Sequence, residues 1–363
     1  MYLIQYLLSI LLIVCSVSNK GGVFVTTIED VARVAGLSRT TVSRVINNHP
    51  YVSEVKRKKV LNAMEELGYV PNSAARRLRN QKTETIAVII PRITNPFFSK
   101  LVETLEIEAS QSGYRLIMCQ TSYHPEKELD YLELLRTRQV DGIILCSIHN
   151  KWENIEGYLQ YGPIILVNEY DERAEIPMIK LDQIEGAYLA TNHLLEQGHR
   201  LLMFCKGNEK NNIGRDRELG FRKAVSEAGL NPDEQIYNQA AYTFEDGQNI
   251  FLQIKEMNIR PTAVFAGGDE VAVGIINEAK RCGCKIPNDL AVVGYDNQLI
   301  SQLIEPTLTT VDQPVDRLAS KAIDILLKKI ASKDYIRKEI YEYPSSLIVR
   351  DSTVSEAKNE VCL

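Results

Sequence analysis

A short stretch around residue 40 carries side chains able to hydrogen-bond the edges of bases. Arg39, Thr40, Ser43 and Arg44 fall on one side of a helix expected from Ser38 to Ile46, whose other side offers Val42, Val45 and Ile46. Arginine can grip guanine O6 and N7 with two bonds, and threonine can donate, accept or contact a thymine methyl. A second set lies at the ends of expected strands. Asn95-Pro96-Phe97-Phe98 follows the first strand, Arg217 precedes a Gly220-Phe221 helix, and Asp296 follows Val293-Gly294-Tyr295. Arg and Asp can fix hydroxyl or amide groups by charge-assisted bonds, while aromatic rings supply flat apolar walls. Plainer roles stand beside these: Asp269 and Asp296 suit helix caps, Arg217 suits a carboxylate pair, and Phe98 suits the core.

The elements that position the first set are legible locally. Thr27-x-x-Asp30 is a capping box, and Ile28, Val31, Ala32 and Ala35 define one buried helical face. Gly36 permits a sharp turn, Ser38 caps the second helix, and Asn47-Asn48 ends it. A third helix from Ser53 is expected to bury Val60, Leu61, Met64 and Leu67 before Gly68. A helix, a tight glycine turn and a short polar-faced helix form the helix-turn-helix plan, whose second helix enters the major groove.

From Thr85 the pattern changes to short β-rich apolar runs alternating with helical stretches. Strands are expected at Thr85–Ile90, Arg115–Cys119, Gly142–Ser147 and Pro163–Asn168, then at Leu201–Cys205, Ala263–Ala266 and Leu290–Gly294. Helices are expected around Phe98–Ser112, Glu126–Arg138 and Trp152–Tyr161, then Glu185–Gln197, Arg217–Ala228, Asp246–Met257 and Glu270–Cys282. The fold class is therefore α/β: an all-α head followed by parallel sheets with helices on both faces, in two similar lobes. Ligands in such folds bind beyond the carboxyl ends of the strands, here between the lobes.

Charge supports this division. The 363 residues carry a net charge of −5, yet residues 26–82 hold eleven Lys/Arg against five Asp/Glu. A basic head on an acidic body suits a polyanion-binding module joined to something else. The seven cysteines (Cys15, Cys119, Cys146, Cys205, Cys282, Cys284 and Cys362) form no Cys-x-x-Cys and read as buried, reduced thiols with no metal site. Neither His193-x5-His199 nor Cys282-x-Cys284 has metal-ligand or redox spacing, and there is no glycine-rich phosphate loop. No enzyme activity and no cofactor is expected.

Residues 2–18 are nearly all apolar, with no charge before Lys20. They lack the basic start and the cleavage site of a signal peptide and are short for a membrane span. Lys20-Gly21-Gly22 must be encoded by purine-rich codons resembling a ribosome-binding site, so the preferred reading starts translation at Val25 and treats residues 1–24 as upstream sequence. The alternative reading is an inner-membrane anchor with the head in the cytoplasm.

The runs TIEDVA (Thr27–Ala32), Gly36-Leu37-Ser38, TVSRVIN (Thr41–Asn47) and GYVPN (Gly68–Asn72) resemble the LacI/GalR (lactose-repressor/galactose-repressor) family of bacterial transcriptional regulators, and the likeness continues to about residue 350. The resemblance places Arg39, Thr40, Ser43 and Arg44 in the major groove. It implies a hinge helix over Ser73–Asn80, with Ala75, Leu78 and Arg79 at the minor groove and Leu78 as the apolar wedge that kinks the duplex. It implies a periplasmic-binding-protein-like core in which Phe97, Asp182, Arg217, Tyr242, Asp269 and Asp296 line or contact the effector site. Asn211 stands where purine-binding members carry an arginine, which disfavours a purine.

The expected domains are a head at 26–71, a hinge at 72–82, a core at 84–350 (lobe 1 about 84–184 and 314–350, lobe 2 about 185–313) and a polar tail at 351–363. The expected function is repression by a cytoplasmic, nucleoid-associated homodimer on a palindromic operator, under control of a small molecule such as a sugar or sugar derivative. The lack of a leucine heptad in the tail argues against tetramers. The alternative is a secreted or membrane-anchored solute-binding protein, which would need no DNA-reading head.

Overall fold

The computed structural model describes residues 26–47, 49–70, 82–207, 212–239, 241–332 and 336–354. The leader, the hinge with Ala75, Leu78 and Arg79, the position Asn211 and residues 355–363 lie outside the described residues. Two compact units are present, one running to Gln81 and the other from Lys82 onward.

Among its described residues the head has three helices, α1 (Ile28–Ala35), α2 (Arg39–Ile46) and α3 (Glu54–Glu66). The capping box closes as expected, with Asp30 N donating to Thr27 Oγ1 (3.3 Å) and Thr27 N donating to Asp30 Oδ2 (3.0 Å). Gly36 ends α1 at φ +64°, a backbone angle that costs glycine little and other residues more. Ser38 then caps α2 through Thr41 N at 3.2 Å. Val31, Val42, Val45 and Val60 interlock at the centre. Leu61, expected inside, is exposed, while Met64 and Leu67 pack partly buried against the centre. The helix turns by about 100° per residue, so Val60 and Ala63 take the inward stripe and Leu61 falls beside it.

The second unit is built on two six-stranded sheets. Sheet one contains β1 (Thr85–Ile90), β2 (Arg115–Gln120), β3 (Gly142–Leu145), β4 (Ile164–Val167), β5 (Pro177–Leu181) and β11 (Glu339–Tyr343) in the order β11-β5-β4-β3-β1-β2. Sheet two contains β6 (Leu202–Cys205), β7 (Ile236–Asn238), β8 (Ala263–Ala266), β9 (Ala291–Tyr295), β10 (Thr309–Asp312) and β12 (Ser346–Ile348) in the order β12-β10-β9-β8-β6-β7. The two orders match strand for strand. All pairings are parallel except β10 with β12. The central strands β1, β3, β4, β6 and β8 are buried at every position, as sheets covered on both faces require.

Helices α4 (Pro96–Gln111), α5 (Pro125–Arg136), α6 (Trp152–Glu156) and α12 (Val315–Ser332) belong with sheet one. Helices α7 (Gln183–Glu196), α8 (Asn212–Glu227), α9 (Phe244–Glu256), α10 (Asp269–Arg281) and α11 (Ile300–Leu303) belong with sheet two. Helix α8 lies so close to α7 that a Cβ on Gly220 would sit 2.1 Å from Ile184 O, so only glycine fits at that crossing.

The chain passes between the lobes three times: after β5, after β10 and after β11. The last passage corrects the expected boundary, since residues 346–350 return to lobe 2 instead of finishing lobe 1. The start of the expected polar tail is also structural. Ser352 and Thr353 are buried in lobe 2, with Ser352 Oγ donating to Val292 O (2.6 Å) and Thr353 Oγ1 bonded to His193 Nε2 (2.8 Å). Cys119, Cys146 and Cys205 are buried free thiols, but Cys282 is exposed.

Candidate DNA-reading face and inter-lobe cleft

On the head, Arg39, Thr40 and Arg44 are exposed along α2, opposite the buried Val42 and Val45. Ser43 is half-buried and close to Asn47, whose Nδ2 reaches Ser43 Oγ at 3.3 Å. Arg39 Nη1 lies 3.1 Å from Glu29 Oε1 of α1. The face therefore offers two guanidinium groups and two hydroxyl groups on about two turns of helix, spaced to follow a groove.

In the core, the carboxyl ends of both sheets converge on a cleft bridged by side chains. Tyr170, beyond β4, donates its hydroxyl to Asp216 of α8 at 2.9 Å and accepts from Arg215 Nη2 at 3.2 Å. Asn212 Nδ2 donates to Tyr170 O at 2.7 Å. Arg217 stacks on the Tyr295 ring, 3.5 Å from its centroid. It donates through Nε to Gln183 Oε1 (2.8 Å) and through Nη1 to Gly267 O (2.7 Å). Gln183 in turn donates to Asn168 Oδ1 at 3.3 Å, so one arginine ties three strand ends together. Tyr123 from lobe 1 and Tyr242 from lobe 2 face each other with centroids 6.0 Å apart.

The cleft carboxyls are held in unusual electrostatic states. Glu169, 3% exposed beyond β4, accepts from Tyr170 N at 3.0 Å and from the Ile148 amide and Asn212; burial nonetheless pushes its carboxyl up to about 7. Asp216 is raised mainly by burial, with the charge of Asp182 adding to it. Asp296 is pushed up to about 6 by burial, against the pull of Arg217. Its backbone sits at φ +105° and that of Asn297 at φ +46°, strain of the kind found where a loop must aim a side chain. The amides of Gln298 and Gln313 both donate to the Asp296 carboxylate.

The residues expected at the effector site separate into groups. Arg217 and Asp296 stand together in the cleft, and Tyr242 lies on its lobe 2 wall. Asp182 caps α7 through Glu185 N (2.9 Å) and is half-buried near Asp216. Asp269 is fully buried and accepts from Gln298 N (2.7 Å) and Thr310 Oγ1 (2.6 Å), which makes it a buttress for the Asp296 loop. Phe97 is packed in the lobe 1 core, and Phe98 is half-buried against the same core. The Asn95 cap and Pro96 set the first turn of α4, and that phase turns Phe97 inward. Glu169, Tyr170, Asn212 and Asp216 escaped the sequence reading, although Glu169 does sit just past a strand end, where ligands gather. Among the described residues, no group of three or more His, Cys, Asp or Glu could hold a metal, and no helix is long and apolar enough to cross a membrane.

Comparison with known proteins agrees with both halves of this description. The family described as bacterial regulatory proteins, lacI family, matches residues 27–72, and a periplasmic binding protein-like domain matches 191–353. The chain is 42% identical over 327 residues to the NTD biosynthesis operon regulator of Bacillus subtilis (strain 168), covering 90% of this chain and 99% of that one. The crystal structure of the lac repressor dimer bound to operator and the anti-inducer ONPF superposes with a TM-score of 0.80 at 26% identity, covering 91% and 99% of the two chains. A LacI family transcriptional regulator from Enterococcus faecium with bound ribose matches with a TM-score of 0.68 at 29% identity, over 74% and 98%. A basic helix-turn-helix followed by two matched parallel sheets, with relatives of this closeness along nearly its whole length, places the chain in the lacI family of bacterial regulatory proteins.

Proposed function

We propose that this protein is a transcriptional repressor that binds a palindromic operator as a homodimer and is controlled by a sugar or sugar derivative held between the two lobes of its core. The observation that carries the proposal is the pairing of an exposed Arg39-Thr40-Arg44 face with a cleft whose Tyr170–Asp216, Asn212–Tyr170 and Gln183–Asn168 bonds join elements of both lobes. A ligand seated there exchanges some of these bonds for its own and shifts the balance between closed and open lobes. DNA affinity follows through the difference in effector affinity between the two states.

The cleft chemistry favours a polyhydroxyl ligand. Carboxylates and a guanidinium bond paired hydroxyls, and the Tyr123 and Tyr242 rings offer flat walls to a sugar face. The ribose found with one structural neighbour supports the same class. The domains are assigned as the head at 26–71, the hinge at 72–82 with Ala75, Leu78 and Arg79 at the minor groove, and the two-lobed core. Apolar side chains left exposed support a dimer contact on the core: Ile117 and Met118 on the edge strand β2 with Ile107 on α4, and Leu252 beside a surface hollow of about 630 Å³ on α9. The protein acts in the cytoplasm on the nucleoid and needs no cofactor.

Selection of binding sites from a random duplex pool by the full chain, repeated with sugars, sugar phosphates and amino acids, tests the proposal. A palindromic site whose occupancy changes with one ligand class is expected. Failure to select any site overturns the repressor reading. A selected site that no sugar affects overturns the effector class.

A further inference from the structure

We propose that Glu29 is a specificity-determining residue of the DNA-reading face: with Arg39 it reads one G·C base pair, the guanidinium taking guanine and the carboxylate taking the amino group of cytosine. The inference rests on the proposal that Arg39 stands in the major groove. Glu29 is on α1 and Arg39 is the first residue of α2, yet Glu29 Oε1 and Arg39 Nη1 are 3.1 Å apart. Both side chains are about two-thirds exposed, at 69% and 68%. An exposed pair of this kind adds only about 0–1 kcal/mol to stability, so the fold gains little from it. The local structural work falls to the neighbouring acid instead. Asp30 closes the capping box with Thr27 and pairs with Arg33, which leaves Glu29 outside both arrangements.

A carboxylate beside a recognition arginine faces a polyanion, and phosphates repel it. It fits there if it meets a donor, and the donors on the major-groove edge are cytosine N4 and adenine N6. Guanine O6 and cytosine N4 are themselves hydrogen-bonded partners, so they lie roughly 2.7–3.2 Å apart. The Glu29–Arg39 pair presents the complementary image at 3.1 Å, its donor opposite the acceptor and its acceptor opposite the donor. Arginine has five N–H groups, and Glu29 occupies one of them, which leaves enough for a two-bond grip on O6 and N7. An A·T pair also sets a donor beside an acceptor, but thymine offers the arginine a single oxygen, so guanine is favoured.

The test uses the full chain and the operator it selects from a random pool. The half-site position read by Arg39 is found as the one whose base choice relaxes in Arg39→Ala, and it should be G·C. The duplex is then made with cytosine at that position, or with pyrimidin-2-one, which lacks only the exocyclic amine. The wild-type protein should bind the second duplex about tenfold more weakly, and Glu29→Ala should bind the two about equally. Equal wild-type binding to both duplexes overturns the inference, as does an unchanged ratio in Glu29→Ala or another base pair in the Arg39 register. Selection of no site at all overturns the DNA-reading proposal beneath it, which is a distinguishable result.

Discussion

Replacing Glu169 by glutamine should make the protein more stable at pH 8 and leave it nearly unchanged at pH 5. The carboxyl is 3% exposed, and burial raises it from the ordinary 4.5 to about 7. Below pH 4.5 it is protonated whether the chain is folded or unfolded, so it contributes no pH dependence. Between 4.5 and about 7 the unfolded chain ionises while the folded one keeps its proton, and stability falls as pH rises. Above about 7 the folded protein carries the full cost of a buried charge. At about 1.4 kcal/mol per pH unit, that cost reaches about 3 kcal/mol. Glutamine removes the charge but keeps one carbonyl oxygen for the donors now shared among Tyr170 N, the Ile148 amide and Asn212, so a net gain of about 1–3 kcal/mol is expected. Urea unfolding of both proteins across pH 5–8 measures it, because the difference between their curves cancels every other titrating group. A difference that stays flat over that range, or a glutamine variant that is weaker at pH 8, refutes the reasoning.

Three further outcomes follow from other parts of the molecule. Gly220→Ala drives a Cβ to 2.1 Å from Ile184 O and should lose about 1–3 kcal/mol in urea unfolding; a loss under about 0.5 kcal/mol would mean α7 and α8 part freely. Arg217→Lys keeps the charge but gives up the planar stack on Tyr295 and the paired reach to Gln183 and Gly267. Calorimetry should show effector affinity reduced about tenfold or more. Arg44→Ala should weaken operator binding by about 1–3 kcal/mol and relax base choice at one position per half-site, which repeated site selection would reveal.

How far the sequence speaks depends on how local the cause is. The head is legible because each of its signals acts over a few residues: Thr27 on Asp30, the left-handed Gly36, Ser38 on Thr41. The central strands are legible because continuous burial demands continuous apolar runs. Strand β11 is not, since Glu339-Ile340-Tyr341-Glu342-Tyr343 shows no regular alternation of polar and apolar residues, and only pairing with β5 gives it a place. Strand β12 is three residues long and antiparallel, so no periodicity announces it or the third passage between lobes. The cleft divides the same way. Arg217 and Asp296 are marked by the strands and helices they adjoin, whereas the Tyr170–Asp216 bond joins residues 46 positions apart and exists only once both lobes have packed. Phe97 and Phe98 differ by one step of helical phase, and that phase was fixed by a cap two residues earlier.

The late return of the chain to lobe 2 has a consequence for how the protein is made. Lobe 1 lacks α12 and β11 until residue 343 has been synthesised, and lobe 2 lacks β12 and the Ser352 and Thr353 anchors until about ten residues later. The head, by contrast, has its three described helices by residue 66 and can fold while the ribosome is still working. A nascent or prematurely terminated chain therefore carries a finished helix-turn-helix head on an unfinished core. Loss of fewer than twenty residues from the far end of the described chain is enough to take β11 from lobe 1 and β12 with its anchors from lobe 2, and leaves the head untouched.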